Sequence, residues 1–128
     1  MMAPEEKRKY PRVILKIEDG YFGNFKLPKA NIIIAPIVNF SAGGLNMLVP
    51  DNAKDQIKEG DVLLLQSIAG GTNLAFLSDI KSEIRWIKDL QTPGYVAVGC
   101  NFKELSEAVH DQLVKLVHSE RMARGQYD

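Results

Sequence analysis

Residues 95–118 read Tyr95-Val96-Ala97-Val98-Gly99-Cys100-Asn101-Phe102-Lys103-Glu104-Leu105-Ser106-Glu107-Ala108-Val109-His110-Asp111-Gln112-Leu113-Val114-Lys115-Leu116-Val117-His118, and within them the hydrophobic period changes. Up to Phe102 the period is two. Val96, Val98, Cys100 and Phe102 share one face, the pattern of a half-buried strand. From Leu105 onward Ala108, Val109, Gln112, Leu113, Leu116 and Val117 follow at i, i+3, i+4 spacing, the stripe of an amphipathic helix. Glu104 and Glu107 fall in its first turn and Arg121 and Arg124 near its end, the order that the helix dipole favours.

Working back from this point, the chain keeps the shorter period. Pro93-Gly94 marks a turn. Before it, Leu74, Phe76, Ile80, Ile84 and Trp86 share one parity, broken by Leu77 and Ile87. Asp61–Ile68 is apolar at most positions and reads as a strand covered on both faces, followed by a tight turn at Ala69-Gly70-Gly71-Thr72. Asp51–Lys58 reads as a short helix, Leu45–Val49 as a strand, and Asn39-Phe40-Ser41-Ala42-Gly43-Gly44 as a loop. Asn31–Val38 is a β-branched strand in which Pro36, lacking an N–H, requires an edge or a bulge. In residues 21–30, Gly23-Asn24 and Pro28 suggest a turn between short extended pieces. Val13, Leu15 and Ile17 alternate with Lys16 and Glu18 in a strand that ends at Asp19-Gly20. The sum is six or seven short strands and one terminal helix. That is a mainly β chain, and turns about every ten residues point to a small antiparallel barrel with the helix packed on it.

At 128 residues the chain is one domain, and 45% hydrophobic with 25% charged residues is the composition of a folded globule. Sixteen basic residues balance sixteen acidic ones, which excludes binding a nucleic-acid polymer by bulk charge. An anion site must come from local clustering. Cys100 stands alone, so no intrachain disulfide or cysteine-rich zinc site forms. The N-terminus has no apolar signal core, and no run approaches the roughly 20 apolar residues of a membrane helix. A cytoplasmic protein without membrane insertion is expected.

Catalytic arrangements are thin. His110 and His118 are eight apart on the helix rather than at the i, i+4 spacing that pairs metal ligands. Cys100 lies on the apolar parity of its strand, and no nucleophile stands with a base. Neither an enzyme nor a metal site is expected. Two other places carry recognition chemistry. Lys7-Arg8-Lys9-Tyr10-Pro11-Arg12 places four cations in a short stretch. Pro11 biases Tyr10 to extended backbone. Arg8 and Arg12 then lie on one side, up to about 13 Å apart, a span suited to a dinucleotide rather than to one phosphate. Guanidinium forks meet phosphate oxygens or the guanine O6/N7 edge. Taken alone, the cluster also fits a solvated basic tail. In the 39–44 segment, Asn39 and Ser41 offer donors and acceptors, and Gly43 and Gly44 allow close approach to the backbone. Taken alone, that segment also fits a plain turn.

Arg8-x-x-x-Arg12 followed by Asn39-x-Ser41-x-x-Gly44 resembles the signature of the PilZ domain family, R-x-x-x-R and then [D/N]-x-S-x-x-G. The strand at 95–102, with Gly99 three residues before Phe102, is similar to the glycine-and-phenylalanine strand that precedes that family's C-terminal helix. The resemblance spans residues 7–118. It implies a six-stranded antiparallel barrel with a C-terminal helix over residues 13–122, preceded by a flexible segment, residues 1–12, carrying the arginine pair. It also implies a receptor for cyclic di-GMP, a bacterial second messenger, with no other cofactor.

By that resemblance Arg8 and Arg12 would contact phosphates and guanines, Asn39 and Ser41 would bond a guanine edge, and Gly44 would permit the loop's shape. Asn39 is an amide where the family also uses a carboxylate, which weakens its guanine contact. Lys7 stands where the family residue is linked to binding one or two ligands. Lys7-Arg8-Lys9 as three successive cations favours a stacked pair. Lys9 and Gly43 join the candidate site as neighbours of the motifs. Trp86 offers a stacking surface, although its parity with Ile84 equally suits the core. With no output domain in the sequence, the expectation is an adaptor whose N-terminal segment orders on ligand binding and signals to a partner protein. The alternative is a PilZ-like interaction module in pilus or flagellar function that binds no nucleotide.

Overall fold

The structure, a computed structural model, describes residues 10–90 and 94–126. Among the described residues, seven strands precede one α-helix: β1 (Val13–Ile14), β2 (Phe22–Lys26), β3 (Ile32–Phe40), β4 (Gly44–Pro50), β5 (Val62–Ala69), β6 (Ile80–Asp89), β7 (Tyr95–Lys103) and α1 (Glu107–Ala123). Pairing runs β3-β2-β5-β6-β7-β4, and β3 pairs again with β4, so six antiparallel strands close into a barrel. β1 is an extra strand added to β3 beside Phe40 and Asn39. Closure leaves these six strands without a free edge along their paired lengths, which protects the sheet from further strand addition.

The barrel interior takes alternate residues of each strand. Phe25, Ile37, Leu45, Met47, Leu63 and Ile84 are among its fully buried side chains. Each contributes about 1.5–3 kcal/mol by leaving water. β5 is covered on one face only. Leu63 and Leu65 are buried while Val62 remains 46% exposed, against the two-sided burial that its composition suggests. An antiparallel barrel has a solvated outer face, so an apolar run need not mean two covered faces.

Four local features depart from the sequence reading. Gly23-Asn24 is not a turn but lies inside β2, paired on both sides by β3 and β5. The first strand stops at Ile14 rather than Asp19. The Lys16 N–H donates to Asp19 Oδ2 at 2.8 Å, and Gly20 takes φ +77°. A 3₁₀ turn over 17–19 results, with Ile17 53% exposed. Turn chemistry overrides the period. The 39–44 loop is shorter than its composition suggests: Asn39 and Phe40 belong to β3, Gly44 opens β4, and the turn is residues 41–43. The long run of shared parity from Leu74 is not one strand. Leu74 and Leu77 are buried in a 3₁₀ turn region, and β6 begins at Ile80.

A bulge between Ile84 and Trp86 leaves Arg85 without a cross-strand partner. The bulge shifts every later residue of β6 by one face. Ile84 points inward, Trp86 lies outside at 38% exposure, and Ile87 packs on the core. Pro36 sits where β3 ends its pairing with β2, and β4 begins to pair at Ile37, with a bulge between Ile37 and Asn39. The bulge therefore falls at Val38, two residues after the proline, while Pro36 itself is the last residue of β3 opposite β2, across from Phe22.

α1 starts after Ser106, whose Oγ accepts from the Val109 N–H at 3.2 Å. Glu104 lies before the helix at φ +59° and not in its first turn. Leu113 and Val117 turn the helix's apolar stripe into the core. Among the described residues, no helix is long and apolar enough to cross a membrane.

Candidate functional site

The β3–β4 hairpin builds the centre of the site. Its closing pair is Ser41 and Gly44, with the Ser41 N–H donating to the Gly44 carbonyl at 2.8 Å. Within the turn, the Gly43 N–H donates to Ser41 Oγ at 3.0 Å. The hydroxyl therefore shapes the turn, and Ser41 is only 3% exposed. The Gly43 carbonyl accepts from the Phe102 N–H at 2.9 Å, tying the turn to β7. Gly44 has to be small for a packing reason: a Cβ there would overlap the Cys100 carbonyl oxygen. Gly43 lies beneath Tyr10, and a Cβ there would stand 3.0 Å from Tyr10 Cδ2.

Arg12 and Asn39 meet directly. Asn39 is the residue across from Ile14 in the β1–β3 ladder, which puts Arg12 within reach of it. Arg12 Nη1 donates to Asn39 Oδ1 at 2.8 Å, joining one residue of each sequence motif across 27 positions. Tyr10 continues this contact toward the helix, stacking edge-on against His110 with centroids 5.3 Å apart. Tyr10 and Pro11 stand off α1 at Val114, Val117 and His118, lining a half-open pocket of about 190 Å³. Lys7, Arg8 and Lys9 lie outside the described residues.

Trp86 joins the same face through the register. Asn39 pairs with Asn46, Asn46 with Gly99, and Gly99 with Trp86. These four form one outward row across β3, β4, β7 and β6. Three inter-strand steps of about 4.8 Å put Trp86 roughly 14 Å from Asn39. Gly99 makes the seat for the indole, since a Cβ there would overlap the Trp86 ring. The next row, Phe40, Leu45, Cys100 and Ile84, is buried beneath it. Burial pushes the Cys100 thiol up to about 12, so the sulfur stays protonated and inert.

Asn46 is a member of this row that the sequence motifs did not single out. Its outward parity between Leu45 and Met47 was legible; its place beside Asn39 needed the cross-strand register. Flanking charges pair with one another, Lys103 with Glu83 at 3.2 Å and Arg85 with Glu83 at 3.8 Å. Among the described residues, no group of three His, Cys, Asp or Glu side chains could hold a metal ion. The face offers a guanidinium, amides and a flat indole, which is chemistry suited to recognising a planar, anionic ligand.

Comparison with known proteins agrees with this architecture. The family model described as the PilZ domain matches residues 6–119. Among solved structures, the PilZ domain of YcgR from Escherichia coli with c-di-GMP superposes with a TM-score of 0.72 at 20% identity, covering 94% of this chain and 96% of that one. The MrkH–c-di-GMP complex of K. pneumonia gives 0.70 at 15% identity, over 94% of this chain and 55% of that one. The Bacillus subtilis inhibitor of motility, MotI, gives 0.65 at 15% identity, over 96% of this chain and 57% of that one. The chain thus spans the isolated YcgR domain but little more than half of MrkH and MotI. At these identities the superpositions establish a shared fold. No curated protein matches the sequence at a significant level.

Proposed function

The chain belongs to the PilZ domain family, and from that premise we propose that it is a non-enzymatic receptor for cyclic di-GMP that passes the signal to a partner protein. The observation that carries this reading is the Arg12–Asn39 contact at 2.8 Å, which sets one arginine of the R-x-x-x-R motif beside the first residue of the Asn-Ser-Gly motif. The solved YcgR and MrkH relatives, which hold c-di-GMP, support it.

In this reading Arg12 and Arg8 meet phosphates and guanine edges, and Asn39 bonds a guanine. Ser41 is a guanine contact once Tyr10 lifts from Gly43. Gly43 and Gly44 keep the turn low enough for the ligand to approach. Lys7 and Lys9 add positive charge beside the phosphates, enough to favour two stacked ligands per chain. Trp86, roughly 14 Å along the outward row, stacks on the far base, an interaction of about 1–3 kcal/mol. Residues 12–14 stay in the barrel while the segment ahead of Tyr10 closes over the ligand as a latch. The closed segment is a new surface for the partner.

Calorimetry tests the core of the reading. Cyclic di-GMP should bind, and GMP and cyclic GMP, with one guanine each, should bind far more weakly. No heat with cyclic di-GMP at tens of micromolar protein would replace the receptor by an interaction module without a nucleotide. Trypsin tests the latch: cleavage at Lys7, Arg8 and Lys9 should slow with saturating ligand while the barrel resists in both states. Unchanged cleavage with proven binding would place the signal in the ligand's own surface.

A further inference from the structure

β1 is two residues long and makes its ladder with β3 on one edge only. Val13 and Leu15 bury one face of this segment, and the ladder with β3 satisfies one edge of its backbone. Its other edge is occupied by side chains from the end of α1. Arg121 Nη1 donates to the Arg12 carbonyl at 2.9 Å. The Ile14 N–H donates to Gln126 Oε1 at 2.8 Å, and Gln126 Nε2 donates to the Ile14 carbonyl at 2.9 Å. The Gln126 amide thus takes the place of a neighbouring strand's peptide group.

The end of α1 is shaped for this. Gly125 adopts φ +66°, the Gly125 N–H donates to the Met122 carbonyl, and the Gln126 N–H donates to the Arg121 carbonyl at 2.7 Å. This is the paired capping pattern that turns a chain sharply off a helix. The last helical turn is anchored in turn by Arg124, which donates to Asp19 and Glu120 at 3.1 Å each. The Lys16 N–H first, and Arg124 after it, hold the Asp19 carboxyl below its ordinary value, so it stays charged for that contact.

We propose that Arg121 and Gln126 are positioning residues for the ligand site: they clamp the backbone of residues 12–14 so that Arg12 is delivered to Asn39. This rests on the receptor reading above and adds to it what holds Arg12 in place. It also makes α1 a route out of the site. Ligand that tightens Arg12 on the barrel tightens the clamp, and by linkage anything that binds and braces the end of α1 raises ligand affinity by the same factor.

The test uses Gln126→Ala and Arg121→Met, the second keeping a long apolar stem. Asn31→Ala, which removes the distant Asn31–Gln56 bond at 2.7 Å, is the control for a general loss of stability. In the free protein, hydrogen exchange at the Ile14 amide should speed up by about tenfold in Gln126→Ala and stay unchanged in Asn31→Ala. Cyclic di-GMP affinity should fall by about five- to tenfold in Gln126→Ala and Arg121→Met and not in the control. In an Arg12→Ala background, Gln126→Ala should cost no further affinity, which separates positioning from mere stabilisation. Unchanged Ile14 exchange, or an equal affinity loss with and without Arg12, overturns the clamp. Wild-type protein that binds no cyclic di-GMP overturns the receptor reading and the ligand role of the clamp together; binding with normal affinity in Gln126→Ala overturns the clamp alone.

Discussion

Arg12→Ala separates two roles that meet in one side chain. In the free protein the guanidinium donates to Asn39 Oδ1 at 2.8 Å in a half-buried setting. A buried hydrogen bond to a charged group contributes about 1.5–3 kcal/mol, and partial exposure returns water to both groups, so about 1 kcal/mol of stability is expected to be lost. For 128 residues, an unfolding entropy of about 2.1 cal/mol/K per residue converts this into a Tm drop of about 4 °C. The sequence alone, with both arginines outside the core, suggests less than about 0.5 kcal/mol; the bond to Asn39 makes the difference. In the proposed complex the variant lacks a charge-assisted contact to the ligand, and affinity should fall about ten- to hundredfold. Urea unfolding of wild type, Arg12→Ala, Asn39→Ala and the double variant closes a cycle whose coupling should be about 1 kcal/mol. Calorimetry on the same four proteins reads the affinity. A coupling of zero would refute the Arg12–Asn39 bond, and equal affinity of Arg12→Ala and wild type would remove Arg12 from the ligand site.

Trp86 is the only tryptophan, so intrinsic fluorescence reports one position on the outward row; cyclic di-GMP should quench it, and calorimetric binding without a fluorescence change would take Trp86 out of the site. Gly44→Ala forces a methyl into the Cys100 carbonyl oxygen, which should cost about 1–3 kcal/mol, or a Tm drop of about 4–12 °C. Gly43→Ala meets only the edge of the Tyr10 ring at 3.0 Å, a side chain that can shift, so its thermal melt should lie near the wild type. Equal melting of the two alanine variants would contradict the packing described for the turn.

Periodicity and turn chemistry were enough to read the architecture. Alternation through Val96, Val98 and Cys100, then the helical stripe through Leu113 and Val117, is a local signal, because a strand and a helix each declare which side of the chain is apolar. The motif at Asn39, Ser41 and Gly44 was legible for the same reason, as residue types at a fixed spacing within one hairpin. That Arg12 and Asn39 touch was not legible, since it depends on β1 adding to β3 at one register, 27 positions away. Trp86 faces outward only because the bulge at Arg85 inserts one unpaired residue, and a bulge is decided by how β6 must bend against β7 rather than by the letters in it. That Ser41 is buried, with its hydroxyl accepting from the Gly43 N–H, was not legible either, because it depends on how the hairpin closes against its neighbours. Gln126 carries no pattern at all in the sequence. It matters because barrel closure and the end of α1 bring its amide to the open edge of Ile14, a meeting of residues 112 positions apart that only tertiary structure can make.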